Sequence, residues 1–325
     1  MVILSKFYKI TLFYLEKIQF YSKIDKVRGK CLLMEKEYIL FADTDSDWTP
    51  ELCQKYDMQL ISMPYKIGDT EVRPYVDFDT FDYKTYYNEL RKGTIPTTSA
   101  LSPANYVEYF EPFFKQGKDI LYVHFSKAMS GTFNAMSIAL RQLAEQYPDR
   151  KVYTIDTKGI TVCSYAILLE VAQMYEQGKS IQEIMDWAAV EVDKYATYFF
   201  VNDLTFFKRS GRVKGVAAFM GNILGIRPII NMNQEGTMAP IGRARGLNGA
   251  IDKVMEIIDS LQEDIKSHRV VIAHTDIQDT VDLVVKRLKE KYGDDLNIEV
   301  HIVNPTAGAH CGPNGIGITF HGKHR

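Results

Sequence analysis

The sequence alternates short, continuously apolar runs with longer segments of helical periodicity, and this alternation constrains the fold more than any single motif. YILFA (38–42), DILYVHF (119–125) and KVYTID (151–156) are the apolar runs, and helices are predicted over 132–147 and 160–178. Strands that are apolar along their whole length are buried on both faces. Strand and helix in turn therefore predict an α/β fold, with a mostly parallel sheet flanked by helices.

The pattern changes near residue 198. GIRPIINMNQEGTMAPIGRAR (225–245) predicts two strands joined by an Asn-Gln-Glu-Gly turn, and three later apolar runs surround a predicted helix over 278–291. Hairpins mixed with helices indicate a mixed sheet. We therefore expect an N-terminal α/β domain over 34–197 and a C-terminal mixed-sheet α/β domain over 198–325, with a ligand between them.

Local signals predict further elements before the second apolar run. Apolar segments over 58–67 and 70–75 flank Gly68-Asp69 and indicate a hairpin. Ser102, followed by Pro103, has the residue types that begin a helix.

Composition excludes several classes of function. Lysine plus arginine number 39 against 41 aspartate plus glutamate, so the net charge of -2 produces no field that would gather nucleic acid. The four cysteines lack metal-binding spacing, and no nucleotide-binding glycine motif or H-E-x-x-H is present. We expect no metal and no cofactor, and the cysteine usage favours a cytoplasmic protein.

The first 33 residues are basic and aromatic and differ from the rest of the chain. One interpretation is a disordered or misassigned leader, with Met34 as the working start. The other is an amphipathic segment that lies on anionic membranes, giving at most peripheral membrane contact. We favour the first, because the globular pattern begins directly after Met34.

Three polar segments are candidate binding loops. Ser126 to Thr132 follow a predicted strand and lead into a helix, where free N–H groups and the helix dipole favour a carboxylate or phosphate. Thr97 and Thr98 lie on an irregular segment between two helices, and His310 lies in a glycine-rich run. Each also has a structural interpretation: a helix cap for Ser130, a helix approach for the threonines and a packed ring for His310.

The aspartates of FADTDSDW (41–48) match two known motifs poorly. Asp43, Asp45 and Asp47 have the spacing of an EF-hand calcium loop, but Trp48 occupies the position that requires glycine. The D-x-D-x-T motif of haloacid-dehalogenase phosphatases would need threonine at position 47. We therefore expect neither calcium binding nor phosphatase chemistry from this segment.

Taken together, the segments resemble the DegV family over residues 36 to 325. The motifs, in chain order, are TDSDW (44–48), PTTS (96–99), SKAMSGTFNA (126–135), DTKGIT (156–161), SGRV (210–213), GNILGIRPII (221–230) and AHCGPNGIG (309–317). The resemblance implies a bacterial fatty-acid-binding protein of two α/β domains, which performs no chemistry itself. It implies that the protein presents its ligand to a separate fatty acid kinase, which makes the acyl phosphate for phospholipid synthesis.

The resemblance also assigns residues. Carried over by motif, the carboxylate contacts are Thr97, with Thr98 beside it, the loop from Ser126 to Ser130, and His310. Arg212 of the S-G-R motif belongs to the face that meets the kinase. Lys127 stands where the family usually has a second serine, so its ammonium either replaces a hydroxyl at the carboxylate or points into solvent.

We therefore predict a cytoplasmic carrier of a long-chain fatty acid. The rival hypothesis is a serine-dependent hydrolase or acyltransferase that uses Ser130 and His310. A third is a relative that keeps the fold and carries a different amphiphile, which the lysine at position 127 would suit.

Overall fold

The computed structural model describes residues 36–202, 204–213, 215 and 225–325, so the predicted leader over 1–33 lies outside the described residues. The strands are β1 (Tyr38–Asp43), β2 (Gln59–Ile61), β3 (Tyr65–Ile67), β4 (Thr70–Val72), β5 (Thr97–Thr98), β6 (Asp119–His124), β7 (Val152–Asp156), β8 (Tyr195–Val201), β9 (Ile226–Met232), β10 (Met238–Arg245), β11 (Val270–His274), β12 (Ile298–Ile302) and β13 (Gly315–His321). The α-helices are α1 (Pro50–Tyr56), α2 (Tyr83–Arg91), α3 (Pro103–Lys115), α4 (Thr132–Gln146), α5 (Val162–Glu176), α6 (Ile181–Glu191), α7 (Thr205–Ser210), α8 (Gly246–Leu261), α9 (Gln278–Tyr292) and α10 (Pro305–Cys311).

The first sheet is parallel, in the order β2-β1-β6-β7, which confirms the prediction from the continuous apolar runs. Alternate residues of its strands enter two cores. Leu40 and Leu121 pack against α5, whereas Phe41 and Tyr122 pack against α3 and α4. The sheet is therefore buried on both faces, as its composition requires.

The second sheet is mixed, in the order β10-β9-β8-β13-β11-β12. Its β8, β9 and β10 run antiparallel to their neighbours, while β11 and β12 are parallel. Ile251, Val254 and Val284 of α8 and α9 fill a core on one face of this sheet. The predicted α/β fold with a mixed second sheet is confirmed.

Helix α5 packs against both sheets. Its buried side chains surround most of the helix, and it shares one core with Leu40 and Val123 of the first sheet and with Val271 and Ala273 of the second. A helix that is apolar around its circumference is typically buried in this way. Tyr38–Arg325 form one compact unit, and the domain boundary near residue 198 stays a prediction.

The predicted hairpin is shorter than expected. β3 and β4 pair antiparallel around Gly68-Asp69, but residues 59–61 leave that hairpin and lie parallel to β1. Residues 62–64 separate β2 from β3. They include Pro64, which has no backbone N–H to donate to a neighbouring strand.

The predicted start of α3 is confirmed in detail. Ser102 is its N-cap, its Oγ accepts from the Asn105 N–H, and Pro103 follows as the first helical residue. Within the ranges given above, no helix is both long enough and apolar enough to cross a bilayer.

Candidate functional site

A cavity lies between the second sheet and the loops that follow β1, β2 and β6 of the first sheet, and its empty volume is about 970 Å³ with the open solvent at its mouth included. The inner face of the second sheet supplies an apolar wall, which includes Phe199, Val201, Met232, Met238 and Ala273. Apolar side chains predominate around the cavity, so its occupant must expose mainly hydrocarbon.

Thr98 and His310 form a polar pair on the cavity wall. Thr98 Oγ1 lies 3.0 Å from His310 Nε2, and the two residues come from β5 and from the last turn of α10. Burial and the nearby Arg212 guanidinium lower the pKa of His310 to about 4, so its ring is neutral at neutral pH. Whichever group donates in this bond, one donor hydrogen remains, on the Thr98 hydroxyl or on His310 Nδ1.

Thr97 lies on the other side of the same short strand. Its side chain is exposed, and it pairs with Lys66 of β3. Because successive strand residues face opposite sides, Thr97 and Thr98 do not reach the same space. Thr98 lines the cavity, whereas Thr97 does not.

The loop between β6 and α4 contributes Ser130. Ser130 lines the cavity, and its Oγ accepts from the Thr132 N–H at 3.2 Å while its own hydrogen stays available to donate. Gly131 at the N-cap offers no side-chain hydrogen bond to the first turn of α4. The hydroxyl of Ser130 therefore supports the turn and also faces the ligand space.

Ser126 and Lys127 lie outside the cavity lining. Ser126 is fully buried, and its Oγ donates to the Gly236 carbonyl at 2.7 Å, which ties the β9–β10 turn to the end of β6. The Lys127 side chain is 72% exposed, and its Nζ lies 4.0 Å from Asp156 Oδ2. In this structure the lysine points into solvent rather than toward the Thr98–His310 pair.

Arg212 follows α7 and lines the cavity from an exposed position. Its Nη1 donates to the Ser210 carbonyl at 2.5 Å, which holds the side chain near its own helix end. The structure thus brings Thr98, Ser130, Arg212 and His310 to one cavity, and places the other predicted residues elsewhere.

Two of the three aspartates at the end of β1 and directly after it have structural partners. Asp43 accepts from the Tyr122 hydroxyl and the Phe125 N–H, and Asp47 accepts from the backbone and side-chain nitrogens of Asn304. No cluster suited to a metal ion occurs among the described residues. These hydrogen bonds give Asp43 and Asp47 structural roles, which require neither calcium nor a phosphatase mechanism.

Sequence reasoning missed Asp45 and Thr161 as cavity residues. Asp45 follows β1 at the carboxyl end of the parallel sheet, where ligands usually bind. This position in the sequence could have indicated that Asp45 lines the cavity. Thr161 has φ +48°, an unusual value for a β-branched residue, and no sequence pattern indicates it. The apolar wall was also missed, because its residues resemble ordinary core.

The fold and cavity define an α/β protein with a mainly apolar binding space that carries a few hydrogen-bonding groups. The model of the DegV family, described as "Uncharacterised protein, DegV family", matches residues 39–323. The chain belongs to the DegV family, which confirms the resemblance seen in its motifs.

Curated relatives support this assignment. A DegV domain-containing protein of Clostridium perfringens is 30% identical over 287 residues, which cover 88% of this chain and 98% of that protein. A DegV domain-containing protein of Lactococcus lactis is 25% identical over 86% of this chain and 96% of its own length.

Solved structures share the fold. A DegV family protein from Thermus thermophilus, described for its fatty acid binding, matches with a TM-score of 0.76 and 22% identity over 88% of this chain and 99% of its own. A stearic-acid-binding protein from Eubacterium ventriosum matches with a TM-score of 0.76 and 23% identity, over 88% and 98% of the two chains. At these identities the likeness establishes the fold.

Proposed function

We propose that this protein binds one long-chain fatty acid in the cavity, with the carboxylate at Thr98, Ser130 and His310. The observation that carries the proposal is a cavity with an apolar sheet wall and a bonded Thr98–His310 pair on its surface. Relatives of the same fold that bind fatty acids support the choice of ligand.

The energetics suit such a ligand. Each methylene buried on an apolar wall contributes about 0.8 kcal/mol, so a chain of about 14 methylenes gains roughly 11 kcal/mol before the costs of binding. A carboxylate that loses water needs donors in return. The hydroxyl of Ser130 and the donor hydrogen of the Thr98–His310 pair provide them, and the exposed Arg212 adds positive charge near His310.

The geometry favours a carrier over the hydrolase alternative. In a serine hydrolase the histidine Nε2 accepts the proton of the nucleophile. Here His310 Nε2 is hydrogen-bonded to Thr98, and the low pKa of His310 makes its ring a weak base. We therefore assign Ser130 and His310 to ligand binding.

We further propose that the bound carboxylate is presented to a separate fatty acid kinase in the cytoplasm. The support is the family resemblance and the position of Arg212, which is exposed and also lines the cavity. A partner that docks over Arg212 would reach the carboxylate from the Thr98–His310 side. Arg212→Gln, which removes the charge without reversing it, should then reduce acyl phosphate formation by a kinase far more than it weakens fatty acid binding, because the carboxylate keeps its hydrogen bonds to Ser130 and the Thr98–His310 pair.

The binding proposal is tested by the protein's own ligand. The purified protein, denatured and analysed by mass spectrometry, should release a long-chain fatty acid in about one equivalent. Delipidated protein should gain thermal stability on adding stearic acid, since a ligand that binds only the folded state stabilises it. Absence of both results would refute the proposal, and Ser130-dependent ester turnover would favour the hydrolase.

A further inference from the structure

Most hydroxyl groups around the cavity already have partners. Thr275 Oγ1 accepts from the Gly315 N–H, Thr306 Oγ1 donates to the Met63 carbonyl, and Thr197 Oγ1 pairs with Thr319 Oγ1, with distances of 2.7, 2.8 and 2.7 Å. Their hydrogen-bonding capacity is largely used within the protein. The polar groups left for a ligand are therefore few.

Asp45 is an exception among the cavity residues. It is 7% exposed and lines the cavity, and its Oδ1 has no hydrogen-bond partner among the residues that the structure describes. The neighbouring Asp43 and Asp47 are also buried, but each accepts several hydrogen bonds from the protein. Asp45 is the member of this group whose carboxyl oxygen Oδ1 receives no hydrogen bond from the described residues.

The Asp45 carboxyl is suited to act as a neutral hydrogen-bonding group. Burial, together with repulsion from Asp43 and Asp47, raises the pKa of Asp45 well above its ordinary value. A protonated carboxyl both donates and accepts, as a hydroxyl does. It would not repel an anionic ligand in the same cavity.

Asp45 comes from a different part of the chain than the Thr98–His310 pair. It follows β1, whereas Thr98 lies on β5 and His310 on α10. Asp45 lies beside the loop before α5, where its carbonyl accepts from the Thr161 N–H at 2.8 Å, and Thr161 and Val162 line the cavity with it. The cavity thus carries a polar group in addition to the Thr98–His310 pair.

We propose that Asp45 is a second polar subsite, and that it selects an acyl chain carrying a hydroxyl group over an unsubstituted chain. This inference rests on the proposed fatty acid binding. A plain methylene chain against Asp45 leaves a buried polar group without a partner, which is unfavourable. A hydroxyl at the matching carbon supplies the missing hydrogen bond.

The test is a competition with two families of ligand. Stearic acid and hydroxystearic acids, with the hydroxyl at successive carbons, displace a fluorescent fatty acid from the delipidated protein. At least one isomer should bind about tenfold more tightly than stearic acid, which corresponds to about 1.4 kcal/mol.

Variants assign the preference to Asp45. Asp45→Leu, similar in shape but apolar, should lose the preference and retain stearic acid binding, and Asp45→Ala serves if the leucine variant does not fold. Asp45→Asn should keep a preference, because the amide also donates and accepts. Asp279→Asn, an exposed aspartate on α9, is the charge-matched control and should behave as wild type.

The outcomes separate the two proposals. Stearic acid binding with no preferred isomer, or a preference that survives in both Asp45→Leu and Asp45→Ala, overturns the subsite and leaves the fatty acid carrier intact. Failure of every fatty acid to bind overturns the carrier, and the subsite with it.

Discussion

Replacing His310 by glutamine should make the protein less sensitive to acid. Glutamine keeps a polar group near Thr98 but does not titrate. In the folded protein the pKa of His310 is lowered from 6.5 to about 4 by burial and by the Arg212 charge. As the pH falls through 6.5 the unfolded chain takes up a proton that the folded protein refuses until about pH 4, so the wild type loses stability over that window.

The size of the effect follows from the two pKa values. At about pH 5 the ring is almost fully protonated in the unfolded chain and almost fully neutral in the folded protein. Linkage then removes about 2 kcal/mol of unfolding free energy between about pH 7 and pH 5, rising toward about 3 kcal/mol near pH 4. The other histidines contribute equally to the wild type and to His310→Gln. The difference between the stability losses of the two proteins therefore measures the contribution of His310.

Urea unfolding at the two pH values measures this difference. The wild type should lose about 2 kcal/mol more than His310→Gln between about pH 7 and pH 5. His324→Gln removes an exposed histidine and should follow the wild-type profile. Equal losses in wild type and His310→Gln would refute the description of His310 as a buried neutral ring.

Two matched pairs of substitutions test other parts of the site. Thr98→Val should weaken stearic acid binding about tenfold, about 1.4 kcal/mol, whereas Thr97→Val should leave it unchanged; equal effects in a displacement titration would contradict the assigned sides of β5. Gly236→Ala should lower the unfolding free energy by about 2 kcal/mol or more, because its φ is +74° and the new methyl would lie 2.3 Å from Ser126 Oγ. Gly242→Ala, with no neighbour within 4 Å, should change it little, and similar midpoints in urea for the two variants would count against this packing.

Much of the fold was predictable from the sequence. The apolar runs at 38–42 and 119–125 are buried parallel strands because only that environment suits continuous apolar residues. The start of α3 at Ser102-Pro103 was predictable because the cap is local. The strands and the helix cap depend on residues that are close together in the chain, so both can be predicted from the sequence.

The detailed site was less predictable because it depends on long-range contacts. Thr97 and Thr98 are chemically alike, and the pairing of β5 with β3 decides which of them faces the cavity. The bond from Ser126 to Gly236 joins residues 110 positions apart, and it uses a hydroxyl that the motif assigned to the ligand. Asp45 could be placed at the end of β1, but its lack of a partner becomes visible only when the surrounding residues are in position.

A crystal structure of the delipidated protein soaked with stearic acid tests the central claim most directly. The account predicts one fatty acid in the cavity, its carboxylate within hydrogen-bond distance of Thr98, Ser130 or His310 and its tail along Phe199 and Met232. An empty cavity at saturating stearic acid, or a carboxylate held at Lys127 with the tail outside this wall, would contradict it.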